Sequence, residues 1–438
     1  GGPLAGLPQI VNLTTESIVP GDDPSVVASR VTGAEKYGPQ IEIPTEANSH
    51  AMEVSMDSLA LHALLYKLAP DLYQRNSAGQ YDQVERLMQM ASNTLAASEE
   101  RLTEALFRLL APNSKLLSGT ADLKISDATG FISGNIKAGK GDITARNEFH
   151  DAVLRIQDAI KDRTDLRLVS LADKSADGLK NLAIDGDVDA MAYRYALKNL
   201  NPFAVFGAAT LYQPHNANGE LNLYAPAART GALSAEYLLD RAKFLTWKVQ
   251  VNTLDAPNVA FSSDSQTWSF EDRAQNYSIQ VKPIGATTSP TPSQISRVIF
   301  GADVNAIPLL GGINTDRLYG GGGTDLLTGG KGNDYLEGGA RRDVYNFAAG
   351  DGADTLLDTD GQGLLMRGGT PLAFGLKQPD GTWKLGGTTY KRAANGTDLE
   401  ISFADNATDK ITLRDFDFTK AAQGGYLGIR LADAVSTG

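Results

Sequence analysis

The chain has 438 residues, 52 acidic and 40 basic, for a formal net charge of −12. It is 42% hydrophobic and 21% charged, with 45 Gly and no Cys. This composition reads as folded, with room for roughly two or three domains. The acidic balance argues against nucleic acid or an anionic membrane surface as partner and suits a divalent cation. The missing Cys excludes disulfides, Cys-ligated zinc and thiol catalysis. No apolar run approaches the ~18 residues of a membrane span. No charged-then-apolar leader follows Gly1, so the chain reads as a fragment or processed product without a signal peptide.

Residues 1–50 read as irregular, with a short strand at 8–13 and an acidic turn at 20–24. Two amphipathic runs follow. Met52–Leu68 places Leu59, Leu61, Leu64, Leu65 and Leu68 on one face, and Gln83–Leu110 continues the pattern. Pro70 and Pro112 end these runs. A loop-like stretch spans 113–142 and a third helix is expected over Ala145–Lys161. Leu166–Leu171 reads as a strand and Met191–Leu200 as a short helix. Ser234 is placed to cap a helix over Ser234–Val251.

Composition shifts at Ile284–Pro292, a Gly/Ala/Thr/Ser/Pro linker. Of the 45 Gly, 23 fall within 301–400 and 11 within Gly311–Gly339. At period nine this block reads GGINTDRLY, GGGGTDLLT, GGKGNDYLE and GGARRDVYN. Asp recurs at 316, 325, 334 and 343, and a large apolar residue follows at Leu318, Leu327, Leu336 and Tyr345. This is the repeat G-G-x-G-x-D-x-U-x of calcium-binding parallel β-rolls. Six residues make a tight turn and three a short strand pointing its apolar residue inward. Turns two rows apart then share an edge, which pairs Asp316 with Asp334 and Asp325 with Asp343. Glycine permits the left-handed backbone, and Asp supplies the hard oxygen that Ca²⁺ prefers. The expected calcium set is Gly311, Asp316, Gly320, Gly322, Asp325, Gly329, Gly332, Asp334, Gly338 and Asp343. Two Ca²⁺ sites follow, with weaker ones at the ends, in a region poorly ordered without metal. In the fourth row Arg341 and Arg342 replace small residues, where an Arg could stand in for a cation or close the stack. The remainder reads as short strands at 383–385, 388–391, 398–403 and 410–416 with turns at Asp380-Gly381 and Asn395-Gly396, a small antiparallel β unit.

On its repeats, residues 300–360 resemble the RTX family of bacterial exoproteins, and GDGADTLLDTDGQG (350–363) is similar to the segment that follows such repeats. The resemblance implies export by type I secretion machinery, an uncleaved C-terminal signal, an extracellular location and folding on meeting calcium.

The segments QIVNLTTESIVPGDDPS (9–25) and NSHAMEVSMDSLALHALLYKLAPDL (48–72) resemble RTX-containing lipases of the α/β-hydrolase type. NPFAVFG (201–207) and 233–253 resemble the helical linker of those lipases. That resemblance implies a lipid ester substrate, His50 as the catalytic base and Asp22 or Asp23 as the orienting acid, in the order acid then His. No G-x-S-x-G elbow occurs in the chain, so the nucleophile is expected in an upstream catalytic half. His50 also reads as a helix-start His bonded to backbone, and Asp22-Asp23 as a solvated turn. His62 reads as packing and His150 and His215 as surface or loop residues.

The fold class expected is multidomain α+β: a mainly helical N-terminal region, a parallel β-roll and an antiparallel β cap. The segments are 1–50, completing a hydrolase domain; 51–283, mainly helical; 284–299, a linker and leading strand; 300–360, the calcium repeats; and 361–438, the cap with its secretion signal. The leading reading is the C-terminal part of a secreted lipase-like exoenzyme. The alternatives are a non-enzymatic adhesin, surface-layer or secretion-carrier module, and a membrane-disrupting toxin.

Overall fold

A computed structural model describes residues 12–16, 40–44, 61–74, 82–91, 99–112, 160–253, 259–303 and 308–433, with positions 77, 153, 156 and 157 between them. The chain divides into two compact units: Gly1–Ala217 with Arg241–Pro257, and Asn218–Asp240 with Asn258–Gly438.

In the first unit, β1 (Asn12–Glu16) pairs in parallel with β2 (Gln40–Pro44). Helical residues 61–68 are followed by α1 (Asp82–Ala91) and α2 (Glu99–Leu110). The apolar stripe buries Leu61, Leu64, Leu65 and Leu68, together with Leu87, Leu102 and Leu106. β3 (Arg167–Ser170) pairs antiparallel with β4 (Phe203–Phe206), and α3 (Ala176–Ile184) and α4 (Ala190–Lys198) lie between them in sequence. The 201–207 segment, read as helical on its resemblance, is therefore a strand at 203–206. Its four consecutive buried residues are the pattern of a strand covered on both faces. Arg241 is buried and donates Nε to Leu197 O at 3.0 Å and Nη2 to Lys198 O. A cation thus meets two carbonyls at the negative end of α4. α5 (Ala235–Thr253) supplies that Arg, and Ser234 Oγ caps its start by accepting from Tyr237 N at 2.9 Å.

The second unit opens with β5 (Val259–Ser262), β6 (Thr267–Asp272) and β7 (Tyr277–Pro283). This corrects the expectation of a helical region to 283. Buried Tyr277, Ile279 and Val281 alternate with Ser278, Gln280 and Lys282, a period of two that only a strand can use. β6 runs parallel to β8 (Ile295–Phe300), so the leading strand joins the sheet directly.

From there the chain passes between two sheets. β8, β10 (Arg317–Gly322), β12 (Tyr335–Ala340) and β14 (Ala353–Leu357) are parallel neighbours in a 13-stranded sheet. β9 (Leu309–Gly312), β11 (Leu326–Gly330), β13 (Val344–Phe347) and β15 (Leu364–Arg367) are parallel neighbours in a 5-stranded one. Leu318 aligns with Leu336, and Leu327 with both Leu309 and Tyr345, so each row pairs with the row after next. Leu336 then aligns with Leu356 and Tyr345 with Leu365, two residues farther on, and the stack continues through β15. One residue per row enters the core between the sheets: Ile299, Leu309, Leu318, Leu327, Leu336, Tyr345, Leu356 and Leu365. Tyr345 brings a hydroxyl, which donates to Asp358 Oδ2 at 2.9 Å and accepts from Gly338 N at 2.9 Å.

Strands β16 (Thr370–Pro371), β17 (Phe374–Lys377), β18 (Trp383–Leu385), β19 (Thr388–Arg392), β20 (Leu399–Phe403) and β21 (Lys410–Leu413) follow. β17 to β21 pair antiparallel in turn, with Gly381 and Gly396 left-handed in the connecting turns. β21 then lies parallel to β14, so this meander continues the larger sheet. α6 (Phe418–Gln423) and β22 (Arg430–Ala432) close the unit.

Residues 218–240 cover the outer face of the larger sheet. Ser234 Oγ donates to buried Glu337 at 2.6 Å, and Asp240 accepts from Tyr319 Oη at 2.6 Å and from Arg317. Arg414 bridges to Glu236 at 2.5 Å. The phase of the rows predicts an asymmetry. Leu327→Ala, inward and 0% exposed, is expected to cost about 2–5 kcal/mol. Leu326→Ala, outward and 38% exposed, should stay within about 0.5 kcal/mol in urea melts with calcium present. Equal costs would contradict the register.

Candidate cation sites on the two turn edges

The turns 311–316, 329–334 and 348–354 lead into β10, β12 and β14 along one edge; 320–325 and 338–343 lead into β11 and β13 along the other. Each turn ends on an Asp that the fold buries: Asp316, Asp325, Asp334, Asp343 and Asp354 are at most 3% exposed. They form ladders. Asp316 N donates to Asp334 Oδ1 at 2.7 Å, and Asp334 N to Asp354 Oδ1 at 3.0 Å. On the other edge Asp325 N donates to Asp343 Oδ1 at 2.9 Å. The structure thus brings Asp316 to Asp334 and Asp325 to Asp343.

Asp316, Asp334, Asp343 and Asp354 each spend Oδ1 on a backbone N–H, and Asp325 spends neither oxygen. Asp334 Oδ2, Asp343 Oδ2 and both oxygens of Asp325 are buried without a hydrogen bond. Burial without compensation is costly for an anion, and it raises these groups. Desolvation comes first in every case: Asp334 and Asp343 move up to about 8, and Asp325 and Asp354 to about 7. Asp316 is raised less, because Arg297 N and Gly312 N donate to it and the Arg297 charge lies nearby.

Among the described residues, no point gathers three or more His, Cys, Asp or Glu side chains. Further ligands for a cation must then be backbone carbonyls, and the glycines are arranged accordingly. A Cβ on Gly311 would lie 2.0 Å from Gly329 O, and on Gly320 2.4 Å from Gly338 O. A Cβ on Gly329 or Gly338 would lie 2.3 Å from Oδ2 of Asp334 or Asp343. Only glycine lets these oxygens converge. Gly332 is left-handed at φ +131°, and its counterpart in the second row is Gly323 at φ +111°. Gly322, the expected residue, is instead the third of its row, where no left-handed turn is needed. Orphaned oxygens in carbonyl-crowded turns fit a hard divalent cation.

Several residues escaped the repeat pattern. Asp354 extends the ladder beyond the fourth row because the preceding turn is two residues longer, which breaks the period. Asp358 is buried and pushed up to about 7, first by burial and then by Asp360. Arg341 and Arg342 are exposed, so neither closes the stack. Arg341 instead occupies the left-handed position that Gly323 and Gly332 hold, at φ +83°. Arg367 sits at the end: it bridges Asp409 at 3.0 Å and Asp405 at 2.8 Å and stacks over Phe403 at 4.0 Å.

His50, Asp22 and Asp23 lie outside the described residues, as do His150, the 113–142 loop and most of the 145–161 helix. His62 is buried, with Nδ1 2.9 Å from Tyr73 Oη, and burial lowers it to about 4. His215 lies in the short turn Gln213–His215, half-buried against Tyr195 with ring centroids 4.8 Å apart.

Residues 310–345 match the family model of the RTX calcium-binding nonapeptide repeat, in four copies. No curated protein matches the chain. The chain carries RTX calcium-binding repeats and its cofactor is Ca²⁺. Such repeats are typical of secreted bacterial proteins, and no helix among the described residues is long and apolar enough to cross a membrane.

A carboxyl raised on folding stabilises the fold below its unfolded value and loses that contribution as pH rises through the folded one. Asp334 and Asp343 set that upper limit at about 8. In chelator, the urea midpoint of the repeat region is therefore expected to fall between pH 6 and pH 9. A midpoint that holds or rises would contradict it. Arg341→Gly removes a left-handed non-glycine and is expected to add about 1 kcal/mol. A lowered midpoint would contradict the strain.

Proposed function

We propose that residues 295–413 form a calcium-binding β-roll that folds when the chain meets calcium outside the cell. Asp316 with Asp334, and Asp325 with Asp343, would hold the ions together with carbonyls of the glycine turns around Gly311, Gly320, Gly329, Gly332 and Gly338. The observation that carries this reading is the set of buried, unpartnered oxygens on Asp325, Asp334 and Asp343. Calcium would supply the counter-charge they lack, so that binding energy becomes folding energy.

On the family resemblance, export runs through type I secretion machinery, with its signal in the 361–438 region. The resemblance of 9–25 and 48–72 to RTX lipases extends the proposal to an ester hydrolase acting on lipid esters. Its base would be His50 and its acid Asp22 or Asp23, with the nucleophilic Ser in an upstream half. The parallel pairing of β1 with β2 agrees with it, since an α/β-hydrolase sheet is mainly parallel. In the full-length protein, His50→Ala should abolish ester hydrolysis and spare the calcium response. Retained hydrolysis would discard the lipase reading.

Calcium added after chelation should increase the far-ultraviolet circular dichroism of the chain. Asp334→Asn combined with Asp343→Asn should raise the calcium midpoint roughly tenfold or more, since it removes anionic oxygen from both edges. A spectrum indifferent to calcium would end the β-roll reading.

A further inference from the structure

The two edges do not begin alike. Strand β8 lies parallel to β10 with Val298 beside Arg317, which places Arg297 at the rung beside Asp316. Arg297 N donates to Asp316 Oδ1 at 2.6 Å, just as Asp316 N donates to Asp334 and Asp334 N to Asp354. The first rung of this ladder is thus an arginine where the later ones are aspartates. Its guanidinium turns into the next turn on the same edge. Nη1 donates to Gly311 O at 2.7 Å and to Leu310 O at 3.1 Å.

The consequence is visible on Asp316. Its Oδ1 accepts from Arg297 N and its Oδ2 from Gly312 N. Asp325, on the opposite edge, has neither oxygen satisfied, and Asp334 and Asp343 each leave Oδ2 without a partner. The turn 311–316 therefore has its carboxylate hydrogen-bonded, and the carbonyls of Leu310 and Gly311 at its start are met by a fixed positive charge. A guanidinium cannot dissociate or lose its proton at neutral pH.

We propose that Arg297 is a resident cation closing the first position of the Asp316–Asp334–Asp354 edge. The turn 311–316 would then be ordered without calcium and serve as the cap from which metal-loaded rows grow. This rests on the calcium reading for the later rows but makes a claim that needs no metal. On the other edge the Arg273 charge lies near Asp325 and its Nη1 donates to Pro308 O at 3.0 Å, yet both Asp325 oxygens stay without a hydrogen bond, so the edges differ in their demand for calcium.

Hydrogen exchange of the full chain in chelator tests the cap directly. The amides of Arg297, Gly312 and Asp316 should exchange roughly tenfold or more slowly than those of 320–325. Equal rates would overturn the proposal, whatever the chain does with calcium. Arg297→Ala should abolish that difference in chelator while leaving the calcium-loaded spectrum close to wild type; a difference that persists also overturns it. Arg297→Asp restores the aspartate rung, and equilibrium dialysis with calcium alone should then find one more ion per chain than in wild type. An unchanged count argues that the position was never a cation place. Failure of the wild type to bind calcium at all would instead strike the calcium-binding β-roll, with the exchange contrast still deciding the Arg297 cap.

Discussion

A row of carboxylates buried along each edge of the two-sheet stack is the constraint on which the rest depends. Every row must send one apolar residue inward and end its turn on an Asp, and stacking removes both from water. The apolar residues gain by this and the carboxylates lose. The ladder of backbone N–H groups onto Oδ1 recovers part of the loss, but each Asp has two oxygens, and the ladder reaches at most one. What remains is a line of charge that the polypeptide does not neutralise. Such a line is tolerable only with protons or a divalent cation in place.

Three other buried acids of the same unit are treated differently. Glu337 accepts from Ser234 and Tyr335, and Asp240 from Arg317 and Tyr319. Asp409 accepts from Gly350 N and is bridged by Arg367. All three are buried, and all three meet protein donors. The contrast places the unmet oxygens on the turn edges alone among these groups, where glycine also brings carbonyls close. It separates a structural network, which packs residues 218–240 on the sheet, from a place suited to an ion. Arg297 and Arg367 sit at opposite ends of one edge, where the repeating pattern stops and a fixed charge takes over.

The nine-residue period made much of this legible. Period and phase are local, so Leu318, Leu327, Leu336 and Tyr345 could be assigned inward and Asp316 paired with Asp334 from spacing alone. The same dependence on period explains the omissions. Asp354 belongs to the ladder, but a turn two residues longer hides it. Arg297 holds an aspartate rung with the opposite charge, which no search for Asp would find. Gly322 and Gly323 stand in a run of four glycines, and only backbone angles distinguish the left-handed one. Strands β5 to β7 were masked by the helical run before them, although Tyr277, Ile279 and Val281 alternate plainly. In the first unit the apolar stripes gave the helices, while 203–206 became a strand because burial on both faces leaves no period to read.

A crystal structure of the calcium-loaded chain, with anomalous scattering to identify the metal, decides whether the two edges hold cations. An ion is expected between turns 311–316 and 329–334 and another between 320–325 and 338–343, each within about 2.4 Å of an Asp oxygen and of glycine-turn carbonyls. Turns without metal, with Asp334 Oδ2 and Asp343 Oδ2 hydrogen-bonded to protein or water instead, would contradict it.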